Sequence, residues 1–196
     1  EALVNEGEIG TLPSHLTEFV KTVKAMKEVT PKSIDSAVAQ YIATVQLSLA
    51  RTSGSKALKT YVEHKIDLSN IRTALRNADD LIEGGSIPPA ALTKGVPGIV
   101  SAINRSTLPY ELAENVRKAV GDSNAVEHAL SKVTADDIAH MWNVPLSIEP
   151  VFAFAALAQS QMRLLRVLLI GKRANMSPQE IKLMLPPFLS ASHYVL

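Results

Sequence analysis

Apolar residues recur along this chain at spacings of three and four, and no stretch alternates with period two for a useful length. The pattern predicts helices throughout and no sheet. Its breaks fall at glycines, prolines and capping residues. Ser14 caps a helix expected to reach about Val29, stopped by Thr30-Pro31. A second is expected from Ser33 to Arg51, and a third from Ser55 to Glu83, ended by Gly84-Gly85 and long enough to be two helices with a kink. Short helices are expected after Pro88-Pro89 and from Pro97. Others run from Tyr110 to Val120, from Asn124 to Val133, and onward from a cap at Thr134. Glu149 to Arg173 is the clearest long helix. After it, Ser177-Pro178-Gln179-Glu180 forms a capping box, Ser at N-cap and Glu at N3, opening a helix through Leu185 that stops at Pro186-Pro187. The expected class is all-α with long antiparallel helices. The Gly- and Pro-containing loop at 95–98 divides the chain into two helical modules, 1–95 and 96–196.

The segment VFAFAALAQSQMRLLRVLLI, residues 151–170, has the length of a bilayer span, about 20 residues. Its middle carries Gln159, Ser160, Gln161, Arg163 and Arg166, and a central Arg costs about 2.5–3.5 kcal/mol on insertion scales. It reads as a core helix.

YVEHKIDLSNIRTALR, residues 61–76, places polar residues where a core helix has few. On a helical wheel Tyr61, Leu68, Ile71 and Leu75 form one apolar face, and Leu58, Val62 and Ile66 form another nearly opposite. Such a helix is sandwiched between neighbours. Asp67, Asn70 and Arg72 fall at or between these faces. A partly buried polar group costs about 1–3 kcal/mol if left unpaired, so all three are expected to bond to adjacent helices or loop backbone.

Composition narrows the function classes. The chain of 196 residues is 46% apolar and 20% charged, with net charge +1. It can bury a sizeable core, and it lacks the basic excess or stripe that nucleic acid needs. Cys is absent, which removes disulfides, thiolate metal sites and Cys nucleophiles. The start EALVNEGEIG has no basic n-region and no apolar h-region, so no signal peptide is read there. It also has no Met, so a processed or truncated chain is expected. His15, His64, His128, His140 and His193 lack a compact ligand spacing, and no P-loop, G-x-S-x-G or G-x-G-x-x-G is present. Asp136-Asp137 reads as acids in the first turn of a helix capped by Thr134, where the macrodipole favours them. No catalytic site, cofactor or metal is expected.

The motif NIRTALR, 70–76, has a counterpart in LLRVLLI, 164–170, with Arg72 and Arg166 at matching places 94 residues apart. Each is followed by a loop and a Pro-started helix. That hints at an internal duplication.

Together these pieces resemble one family. ALKTYVEHKIDLSNIRTALR resembles the helix bearing Tyr, Asp, Asn and Arg in the C-type subunit of the V-type (A-type) ATPases, a relative of the d-type subunit of the eukaryotic vacuolar ATPase. LSIEPVFAFAALAQSQMRLLRVLLIGKRANMSPQEIKLML resembles the terminal helix pair of the same family. The resemblance implies a funnel of three similar helical modules, of which two are visible here, the N-terminal one being absent. It implies a non-catalytic rotor component, a socket that receives the central shaft of D- and F-type subunits and sits on the membrane proteolipid ring at the cytoplasmic face. ATP hydrolysis would then turn the shaft, this subunit would pass torque to the ring, and the ring would move protons or sodium ions, with the reverse flow supporting synthesis. It implies structural roles for Asp67, Asn70, Arg72 and Arg166. Lys94, Lys172 and Arg173, near the Pro-started helices, are candidate partner contacts. The second copy departs from the family pattern, with Gln159, Gln161 and Leu164 where acids and Asn are usual. A chain missing one module exposes the surface that module covered, so self-association is expected. The competing reading is a helical adaptor unrelated to a rotary ATPase.

Overall fold

The computed structural model describes residues 14–26 and 29–185. Among these residues every regular element is a helix, as the periodicity predicts. They are α1 (Ser14–Lys24), α2 (Pro31–Thr52), α3 (Lys56–Leu75), α4 (Pro89–Leu92), α5 (Gly95–Asn104), α6 (Tyr110–Ala119), α7 (Ser123–Trp142), α8 (Glu149–Arg173) and α9 (Pro178–Met184). The Pro186-Pro187 stop, the EALVNEGEIG start and His193 lie outside the described residues.

The caps follow local chemistry. Thr30 accepts from Ser33 N at 3.1 Å and opens α2. Ser55 accepts from Leu58 N at 3.0 Å and opens α3. At α9, Ser177 N donates to Glu180 Oε2 at 2.7 Å and Glu180 N to Ser177 Oγ at 3.3 Å, completing the reciprocal box.

Three boundaries differ from the sequence pattern. The first helix ends at Lys24. The third ends at Leu75 instead of Glu83, because Asn77 takes a left-handed φ of 55° and the backbone N–H groups of Ile82, Glu83, Ser86 and Ile87 bond to side chains of α2 and α3. The two helices expected from 124 onward are one, α7, capped by Asp122, so Thr134 is an interior residue and Asp136-Asp137 sit mid-helix.

Two buried clusters organise the molecule. One joins Leu68 and Ile71 of α3 to Ile87, Leu92, Ile99, Ile103, Leu112 and Val116, and to Leu130 and Val133 of α7. The other joins Ala43, Leu47 and Ala50 of α2 to Leu58, Val62 and Ile66 of α3, Ile138 and Met141 of α7, and Ala153 of α8. α3 and α7 run antiparallel through both clusters. Tyr61 packs with the second cluster, away from the Leu68 face on which the wheel placed it. The first cluster draws on both sides of residue 95. Each fully buried Leu or Ile stabilises by about 1.5–3 kcal/mol.

The core-helix reading of 151–170 is overturned. Of the 25 residues of α8, only Ala153 and Gly171 are buried. Val151, Phe154, Met162, Leu165, Leu169 and Ile170 are all more than half exposed. By length and composition α8 is long and apolar enough to cross a membrane. A helix apolar on several sides reads as buried, but periodicity does not record whether a neighbour covers each side. Gly171 lets α9 close down on α8: a β-carbon there would lie 2.7 Å from Ile181 Cγ1.

Candidate functional site

The polar residues of α3 meet the irregular segment between Arg76 and Pro88. Asp67 is completely buried. Its Oδ2 accepts from Ser86 N at 3.0 Å and Ser86 Oγ at 2.6 Å, and its Oδ1 accepts from Ile87 N at 3.0 Å. Burial pushes the carboxyl above its ordinary pKa, against the pull of the Ser86 and Ile87 hydrogen bonds. The close approach requires Gly85, where any β-carbon would collide with the Asp67 carboxylate.

One turn on, Asn70 is also buried. Its Nδ2 donates to Ile82 O at 2.7 Å while its Oδ1 accepts from Ile82 N at 2.8 Å. Gln40 of α2 brackets the next residue in the same way, accepting from Glu83 N at 2.8 Å and donating to Glu83 O at 3.3 Å. Two amide side chains from two helices thus supply consecutive loop residues with the partners a sheet would give them.

Arg72 points to α7. Its Nε lies 2.9 Å from both oxygens of Glu127, and Arg76 Nη2 lies 3.7 Å from Oε1. A third link joins the same helices: His64 Nδ1 meets Asp137 Oδ2 at 2.9 Å, and His64 Nε2 meets Thr107 Oγ1 at 3.1 Å. Burial pulls the imidazole pKa down. The Asp137 hydrogen bond and charge, with Thr107, outweigh that and hold it above the ordinary histidine value. Asp137 is therefore the carboxylate partner of a buried imidazole, which corrects its placement in a helix first turn.

The other predicted residues lie apart. Arg166 is exposed on α8, with no ion pair among the described residues, so its surroundings do not repeat those of Arg72. Lys94 is exposed ahead of α5, and Lys172 and Arg173 are exposed in the last turn of α8. The sequence reading missed Glu127, Ser86 and the Thr107–His64–Asp137 chain. Their signal was only the polarity of residues at helical spacing; their pairing depends on the register of α3 against α7.

Among the described residues no group of three or more His, Cys, Asp or Glu side chains could hold a metal. The polar groups brought together at α3 are mutually satisfied. Their chemistry is that of fixed hydrogen bonds setting the register of helices and loop. The family model described as ATP synthase (C/AC39) subunit matches residues 1–184. No curated protein matches the chain, and no solved structure does.

Proposed function

The chain belongs to the ATP synthase (C/AC39) subunit family, part of the V/A-type rotary ATPase, and from that premise we propose that it is a non-catalytic rotor component coupling the central shaft to the membrane proteolipid ring. The family match over residues 1–184 carries this reading. In it, ATP hydrolysis in the head turns the shaft of D- and F-type subunits, and this protein passes torque to a ring that moves protons or sodium ions. In synthesis the flow reverses. The protein would lie peripherally on the cytoplasmic face.

The interior suits such a task. Torque is shear, and shear between helices is resisted by close packing and by directional bonds with one register. We assign Asp67, Asn70 and Arg72 to that framework. The Asn70–Ile82 pair, the Asp67 carboxylate with its three donors, the Arg72–Glu127 pair and the His64–Asp137 pair hold α3 to the loop before α4 and to α7. Sliding α3 by one turn would unpair all of them. Lys94, Lys172 and Arg173 are exposed and are assigned as partner contacts.

Tagging the native protein, solubilising membranes in mild detergent and identifying what co-purifies tests this. Ring, shaft and nucleotide-hydrolysing proteins in fixed ratio are expected. Recovery without any of them would leave the helical-adaptor reading in its place.

A further inference from the structure

α3 and α8 run side by side in the same direction, with matching positions 94 residues apart facing each other. Their first turns are tied, Ser55 Oγ donating to Glu149 Oε1 at 2.6 Å. Beyond this tie a trough lies between them. Its first part is an apolar groove of about 460 Å³ walled by Leu49, Leu58, Val62, Phe152 and Ala155. Past Tyr61 and Lys65, which line both parts, it continues into a polar cleft of about 310 Å³ where α7 contributes a third wall. Volumes of this order hold small ligands.

The charge of the cleft is one-sided. Lys65, Arg72 and Arg163 line it, with the hydroxyls of Ser69, Ser131 and Ser160, and no Asp or Glu does. Arg72 is already held by Glu127. Among the described residues Lys65 bonds only to the neutral Gln46 amide oxygen, at 3.3 Å. Arg163 makes no hydrogen bond or ion pair among the described residues. Desolvation and the nearby Arg163 charge both push the Lys65 ammonium below its ordinary pKa. Two cations without counter-charge, ringed by hydroxyl donors and opening onto an apolar slot, complement one kind of molecule. The hydroxyls and cations satisfy anionic oxygens, and the slot removes an alkyl chain from water.

We propose that the α3–α8 trough binds an anionic amphiphile, its phosphate or carboxylate head between Lys65 and Arg163 and its alkyl chain along Leu58, Val62 and Phe152.

Calorimetric titration of the full chain with inorganic phosphate, with monomeric dodecyl phosphate and with uncharged dodecyl maltoside tests it. Dodecyl phosphate should bind at least about tenfold tighter than either of the others. The double variant Lys65→Gln/Arg163→Gln, both at exposed positions, should weaken dodecyl phosphate about tenfold with an unchanged melting temperature. Phe152→Ser should weaken dodecyl phosphate but leave phosphate unchanged. Equal binding of dodecyl phosphate by the double variant and the parent would overturn the proposal. So would phosphate binding as tight as dodecyl phosphate, which would reduce the trough to a simple anion site. Binding to phosphatidylglycerol vesicles without binding of the monomeric amphiphile would also overturn it, locating lipid contact on the outer face of α8.

Discussion

Asn70 and Ile82 exchange two hydrogen bonds, 2.7 and 2.8 Å long, between one side-chain amide and both polar groups of one backbone residue. Asn70→Ala would leave a part-buried N–H and C=O unpaired, at about 1–3 kcal/mol each. Asn70→Asp would keep the acceptor but set a carboxylate oxygen against the Ile82 carbonyl. Both variants are expected to lower the urea midpoint by at least about 2 kcal/mol in free energy, with the aspartate no better than the alanine. A midpoint for Asn70→Asp close to the parent would contradict the geometry.

Gly85 has no room for a side chain, since its β-carbon position overlaps the Asp67 carboxylate. Gly85→Ala must move the loop or turn Asp67 away from Ser86 and Ile87. A loss of about 1–3 kcal/mol is expected, the range for overpacking a tight site. Pairing it with Asp67→Ala in a double-mutant cycle checks the cause: the two losses should be far from additive.

Stability should depend on pH through His64. Its folded pKa is held above the ordinary histidine value, so the imidazolium is the form that folding favours. The contribution is fully present below the unfolded pKa, about 6.5, and is lost as pH rises through the folded value. Urea midpoints measured from pH 5.5 upward should fall across that window in the parent and be flatter in His64→Gln. An identical pH slope in the two proteins would show that His64 is not the titrating group.

Arg72 and Arg166 occupy matching sequence positions in different settings. Arg72 meets Glu127, yet the side chains are 30% and 41% exposed, so solvent screening keeps the pair to about 1 kcal/mol. Arg72→Gln should therefore cost about that much, and Arg166→Gln should stay within about 0.5 kcal/mol, as for ordinary surface changes. A larger loss at Arg166 would mean that the isolated chain uses it internally.

Much of this architecture could be read from the chain itself. The all-helical class, the α8 bounds and the Ser177–Glu180 box follow from local spacing and local hydrogen bonds, which sequence encodes directly. What failed needed knowledge of neighbours. The end of α3 depends on side chains of α2 and α3 reaching the backbone at residues 82–87, a competition that helix propensity at 76–83 does not contain. Asp137 looked like a first-turn acid because its partner His64 lies 73 residues away. The exposure of α8 was hidden for the same reason: Phe154 and Leu165 are as apolar as Leu68, and only the packing decides which of them meets solvent.

The contrast between α3 and α8 also bears on how the folded state opens. α3 buries eight of its 20 residues, and α8 buries two of 25. Amide hydrogen exchange should follow that asymmetry, since protection scales with the burial that must be undone. The amides of Leu68 to Ile71 would exchange only when the whole molecule unfolds. Those of α8 beyond Gln159, together with α9, would exchange by a smaller excursion that leaves α3 and α7 paired. The two long helices would then belong to different cooperative units, α3 the last part of the molecule to open and α8 among the first.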